Sequence, residues 1–146
     1  MQKGIDFVGV GVVYFCHDGK GKFAMHKRGQ GARDEQGRWD IGAGGLEWED
    51  TVDETLKKEI KEEYGADVLA SEFIGFRDVW REHEGKKTHW ISLDFKVLVN
   101  PEQVVNNEPH KFDEIKWFSL NDIPAPESIH SQLPLFLEKY KRELLV

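Results

Sequence analysis

Cysteine is almost missing from this chain. A single residue, Cys16, stands among 146. No intrachain disulfide can form, and a metal site built on several thiolates is excluded. Cys16 ends an apolar run, so it reads as a buried thiol compatible with a reducing, cytoplasmic setting. Long apolar runs are missing too. Nothing approaches the length of a membrane span, and the N-terminal stretch lacks the pattern of a signal peptide. Basic residues are in deficit: 20 Lys and Arg face 27 Asp and Glu, for a net charge of −7. Duplex nucleic acid is a poor partner for such a surface, because that binding runs on phosphate neutralisation. A small anionic ligand is not excluded, since a divalent cation can bridge carboxylates and phosphate. The six histidines show no helical metal-ligand spacing.

What is present is the balance of a soluble globular chain, with 39% hydrophobic and 32% charged residues. The length suits one domain, residues 1–146, and no repeat or linker divides it. Residues 5–16 predict a buried strand, and residues 22–28 its return arm in a hairpin. Residues 29–38 predict a polar loop, 39–41 a short strand and 42–49 a glycine-rich loop. Asp50 or Thr51 caps a helix that runs to about Tyr64 and stops at Gly65. Then come a strand over 67–80 with a bulge near Gly75, a turn over 81–87, and a strand over 88–99. A loop over 100–113, a strand over 115–118, a turn over 120–126 and a helix over 131–145 complete the chain. This order predicts an α+β layered domain with a mixed or mostly antiparallel sheet and helices packed on it.

The central helix carries the chemistry. At about 100° per residue from Val52, Leu56 falls near 40° and Ile60 near 80°, forming an apolar stripe. Asp53, Glu54, Lys57, Lys58 and Lys61 occupy the opposite, solvated side. Glu59 and Glu63 fall within about 20° of Val52, on the inward side, and Glu62 lies at the adjoining edge, near 280°. Carboxylates gathered there need a compensating cation, and a hard divalent metal supplies one. A surface cluster neutralised by Lys57, Lys58 and Lys61 is the alternative from helical phase alone. Gly42, Gly44 and Gly45 precede the helix and allow close approach of a ligand to the main chain; a tight strand-to-helix loop also needs such glycines.

Taken together, Gly44, Asp50, Lys58, Glu59, Ile60, Glu62, Glu63, Tyr64, Gly65 and Ala66 resemble the Nudix box, with its spacing intact. That signature, G-x5-E-x7-R-E-U-x-E-E-x-G-U with U a bulky aliphatic, is long and specific. The flanks are similar as well: Trp39-Asp40 ahead of the box, and Glu114 to Leu120 behind it. Asp50 replaces the usual Glu, Lys58 the usual Arg, and Ala66 the final aliphatic. Lys keeps the charge of Arg and loses its planar fork.

The resemblance implies an α/β/α sandwich, with a mixed sheet and helices on both faces. It implies cleavage of a nucleoside diphosphate linked to another group. Glu59, Glu62 and Glu63 would hold Mg²⁺ or Mn²⁺ with the main-chain carbonyl of Ala43. A carboxylate outside the box, Glu114 first and Glu108 second, would join them. Glu59 would be the general base, oriented by Lys58, with Asp50 supporting Lys58; in some members the base lies in a later loop. Gly44 belongs to the substrate cradle. Trp39, Arg28, and Trp80, Arg81, His83, His89 and Trp90 around the hairpin are candidate substrate contacts, against core packing for each Trp and a solvated strand end for Arg28. The expected partner is a small nucleoside diphosphate derivative, not a duplex or a membrane, with a homodimer left open. A nucleotide-binding or regulatory module with weak hydrolysis is the alternative that Asp50 and Lys58 keep open. Isomerase chemistry on the same fold needs a cysteine near the box, and Cys16 is in the first strand.

Overall fold

The computed structural model describes residues 1–145. Its centre is strand β1, Gly9–His17, flanked on one side by β6, Lys86–Leu98, in parallel register from Gly9↔Trp90 to His17↔Leu98. β5, Ala70–His83, pairs antiparallel with β6 and forms one edge. On the other side of β1 lie β2, Phe23–Arg28, and β4, Gly42–Gly45. β2 in turn pairs with β3, Trp39–Asp40, and β7, Phe112–Phe118. One parallel pair among antiparallel ones makes the sheet mixed.

Alternation along the strands creates two cores. Val12, Tyr14 and Cys16 of β1 and Phe95 and Val97 of β6 pack under α1, Val52–Tyr64, through Leu56, Ile60 and Tyr64. Phe15, Phe23 and Met25 pack from the opposite face under α2, Leu133–Lys139, through Leu133 and Phe136. The helices therefore cover both faces, as the expected sandwich requires. Among the described residues no helix is long and apolar enough to cross a membrane.

Several boundaries differ from expectation. β1 starts at Gly9, because residues 1–8 turn back: Lys3 Nζ donates to the Leu46 carbonyl at 2.7 Å, and the His89 N–H donates to the Gly4 carbonyl. The β1–β2 hairpin pairs only at His17↔Phe23, after which β4 takes over the edge of β1. Residues 42–45 thus form a strand rather than a loop. The turn expected over 81–87 shrinks to Glu84-Gly85, both at positive φ, a two-residue hairpin turn that lets the strands run on to their ends. The bulge appears, between Phe73 and Gly75. α2 is seven residues long and does not extend over 131–145.

Candidate active site and the adjoining cavity

α1 begins with Thr51, whose hydroxyl accepts the Glu54 N–H at 3.1 Å, and ends at Gly65 in the left-handed region. Between these caps the residues take the sides that helical phase assigns. Lys57, Lys58, Lys61 and Glu62 are exposed, Glu59 is half-buried, and Glu63 is 6% exposed.

β4 brings its main chain against this edge. A Cβ on Gly44 would lie 2.3 Å from Cδ of Glu59, so the Glu59 carboxyl rests on bare backbone that only glycine provides. Burial, then the neighbouring Glu62 charge, raises the pKa of Glu59; Lys111 and Lys58 act the other way. Glu63 is raised further, to about 8, mainly by burial and also by Glu108, while Lys111 and the Ala43 N–H oppose the shift. Its Oε1 is wholly enclosed and has no hydrogen-bond partner in the protein.

Lys58 Nζ lies 3.3 Å from Oδ2 of Asp50, and this contact raises the Lys58 pKa. The two replaced positions of the box therefore engage each other, through one contact in place of a fork.

Of the two outside carboxylates, Glu108 is the one whose charge acts on both Glu59 and Glu63. The reason is local: the loop after β6 caps the end of α1, with the Val105 N–H on the Tyr64 carbonyl and the Asn107 N–H on that of Glu63. Glu114 lies on β7 opposite Lys27, with Lys116 Nζ at 3.8 Å.

A cavity of about 330 Å³ opens beside Ala43, Gly44 and Gly45, between the sheet and α2. Arg28 and Arg81 line it, but both are engaged in ion pairs. Arg28 donates to the carbonyl and carboxylate of Asp34, and Arg81 bridges Asp34 and Glu35 at 2.9 and 2.6 Å. Two tryptophan assignments change. Trp39 is buried in the second core, edge-on to Phe118 at 5.1 Å, so its ring is used in packing. Trp80 projects from the opposite face of the hairpin, 66% exposed and stacked on His89 at 4.7 Å. Of the two hairpin tryptophans it is Trp90, also a candidate, that lines the cavity. Alternation decides this, since neighbours on a strand point to opposite faces.

Three features escaped the sequence. Arg77 lines the cavity, held by Asp94 at 2.7 and 2.9 Å and by Ser92 at 3.2 Å. Charged residues at inward positions of two apolar strands were the available signal. Asp40 lines it too, its pKa raised to about 7 chiefly by burial, with Arg28 opposing. Third, Asp34, Glu35 and His130 bring ligand-type atoms within 4.8 Å of one another. Glu35 there already accepts from Arg38, Arg81, Ser131 and His130, so the group is a structural junction whose acceptors are occupied.

Comparison with known proteins identifies the family and the fold. A NUDIX domain model matches residues 7–140. An RNA pyrophosphohydrolase of Marinomonas sp. (strain MWYL1) is 28% identical over 117 residues, covering 68% of this chain and 73% of the relative. The nucleoside triphosphatase NudI of Enterobacter sp. (strain 638) is 30% identical over 102 residues, covering 63% and 71%. A MutT NUDIX hydrolase from Burkholderia pseudomallei shares the fold at TM-score 0.78 and 22% identity, over 91% of this chain and 98% of that one. The MutT protein from Methanosarcina mazei Go1 gives 0.74 at 22% identity, over 93% and 94%. The chain belongs to the Nudix family. It is a hydrolase acting on pyrophosphate bonds.

Proposed function

We propose that the chain is a divalent-metal-dependent pyrophosphohydrolase that cleaves the diphosphate linkage of a nucleoside diphosphate derivative. The observation that carries this reading is the enclosed, unpartnered Oε1 of Glu63 on the same helix edge as Glu59. An enclosed carboxylate oxygen without a donor costs free energy unless a cation satisfies it. The donors are all hard oxygens, which fits Mg²⁺ or Mn²⁺. Glu59, Glu62, Glu63 and the Ala43 carbonyl would hold the ion, with Glu108, whose charge acts on Glu59 and Glu63, as the outside carboxylate. When bound, such an ion neutralises pyrophosphate charge and acidifies water.

The chain's own groups do the rest. Glu59 is the base, half-buried with its carboxyl against the Gly44 main chain. The proton of the attacking water goes to a Glu59 oxygen as the water oxygen bonds to phosphorus. The P–O bond to the leaving phosphate breaks, giving two phosphate-bearing products. Lys58, paired with Asp50, holds positive charge beside Glu59. Gly44 lets the substrate and the Glu59 carboxyl approach the same stretch of main chain.

The test is a panel of nucleoside triphosphates, dinucleoside polyphosphates, ADP-ribose and nucleotide sugars, assayed with Mg²⁺ or Mn²⁺ and with chelator, products read by mass. Turnover of at least one class, abolished by chelator, is expected. Nucleotide binding without turnover of any class would overturn the catalytic reading in favour of a sensing module.

A further inference from the structure

α1 packs mainly over β1 and β4 and leaves the outer part of the same sheet face, on β6 and β5, open. Strand register fixes which side chains point there. Tyr14 and Val12, under α1, stand beside Phe95 and Leu93, and these stand beside Phe73 and Phe76. Toward the hairpin turn the same face carries Val10, Ile91 and Asp78, then His89 and Trp80. Val10, Ile91 and Leu93 are half-buried, whereas Phe73, Phe76 and Trp80 are 57, 55 and 66% exposed. The Phe73 ring lies 5.5 Å from that of Phe95, so the open aromatic row continues the buried core. At roughly 200 Å² per aromatic side chain, about 350 Å² of ring surface faces water, which is large for a patch with nothing to bind.

The β5 edge beside this face is closed to an added strand. A bulge separates Phe73 from Gly75, Gly75 lies against Tyr140, and Lys139 Nζ donates to the Phe76 carbonyl. An occupant must therefore lie on the face itself.

The charges of the face are balanced. Asp78 Oδ1 lies 2.9 Å from His89 Nε2, Glu82 stands opposite Lys87, and Lys139 Nζ is 5.6 Å from the centre of the Phe76 ring. A membrane surface or an acidic peptide asks for a basic rim, and a basic peptide for an acidic one. A second copy of the chain asks for neither. Two copies each of net charge −7 repel, and they meet at least cost through a face whose own charges cancel. The area agrees: the open rings with Val10, Ile91 and Leu93 supply roughly the apolar share of a standard interface, about 800 Å² per partner.

We propose that this face is the interface of an isologous homodimer, in which each copy covers Phe73, Phe76 and Trp80 of the other. The test is analytical ultracentrifugation of the full chain from about 1 to about 200 µM, where wild type is expected to reach twice the chain mass with a Kd of about 10 µM or tighter. Phe76→Ser combined with Trp80→Ser changes exposed side chains only. It should stay monomeric across that range, with the circular dichroism of wild type. Leu135→Ser alters an equally exposed apolar residue, 63% open on α2 at the other face, and should dimerise as wild type does. Should the double variant lose its fold, Trp80→Lys alone sets like charges across the two-fold axis and is expected to weaken the Kd by at least about tenfold. A wild type that is monomeric throughout would overturn the proposal. So would a dimer that the folded double variant or Trp80→Lys leaves intact, or one that Leu135→Ser abolishes. A monomeric wild type that instead co-sediments with phosphatidylserine vesicles would give the face to a membrane and overturn it equally.

Discussion

Glu63 is the residue on which the metal assignment turns. Gln has nearly the same shape but no charge, so Glu63→Gln should fold and lose metal-dependent turnover by at least about a hundredfold. A parallel readout is thermal: Mg²⁺ should raise the melting temperature of wild type and leave that of the variant unmoved. Retained activity within a few-fold would sink the assignment. Lys58 and Asp50 act through one contact. Lys58→Ala and Asp50→Asn should each lower kcat by about tenfold, and the double variant no further, because partners in one interaction are not additive. Asp40 makes a pH prediction. Its pKa rises from 3.8 to about 7 on folding. Between those values the folded state binds more protons than the unfolded chain, so this group's contribution to stability falls as pH rises and levels off above 7. Asp40→Asn removes that slope. Its melting temperature relative to wild type should improve by roughly 5 °C between pH 5 and pH 8.

At the scale of elements, α1 and β4 contrast. α1 was legible because its signals are local: a Thr51 cap, a Gly65 stop, and a phase that separates exposed lysines from inward glutamates. The same phase puts Glu59 and Glu63 inward and Glu62 at their edge, where it stands exposed. β4 was not legible. Four residues, Gly-Ala-Gly-Gly, have no strand propensity of their own and become a strand only because β1 offers the edge that β2 leaves. The function of β4 lies in what it lacks. Gly44→Ala places a Cβ at 2.3 Å from Cδ of Glu59 and must displace that carboxyl. The expected outcome is a loss of kcat of about tenfold or more, with far-ultraviolet circular dichroism unchanged. Activity equal to wild type would show that the Glu59 position is not critical.

At the scale of the molecule, α2 is joined to the sheet by a buried polar lock. Asp94, fully buried, accepts from Arg77, Ser92 and the Tyr140 hydroxyl, and Arg77 also lies over the Phe136 ring at 5.2 Å. The lock ties β5, β6 and the end of α2 around one carboxylate and holds a wall of the cavity. Tyr140→Phe removes one donor while the arginine remains. It should cost about 1–3 kcal/mol, read as a lowered denaturant midpoint.

The amino-acid sequence by itself determined the layered class, the limits of α1, the inward carboxylates and the family. Each depends on spacing within a few turns of one helix or on a contiguous pattern, and such information survives without a fold. The tertiary structure decided what shares the cavity. Trp90 lines it and Trp80 does not, Arg28 and Arg81 are engaged by a loop acid, and Glu108 rather than Glu114 acts on the box glutamates. Those outcomes depend on strand register and on which edges pair, and on meetings such as Glu35 with Ser131, 96 residues apart. No local pattern encodes such encounters, because burial and pairing are settled only when the sheet closes against both helices.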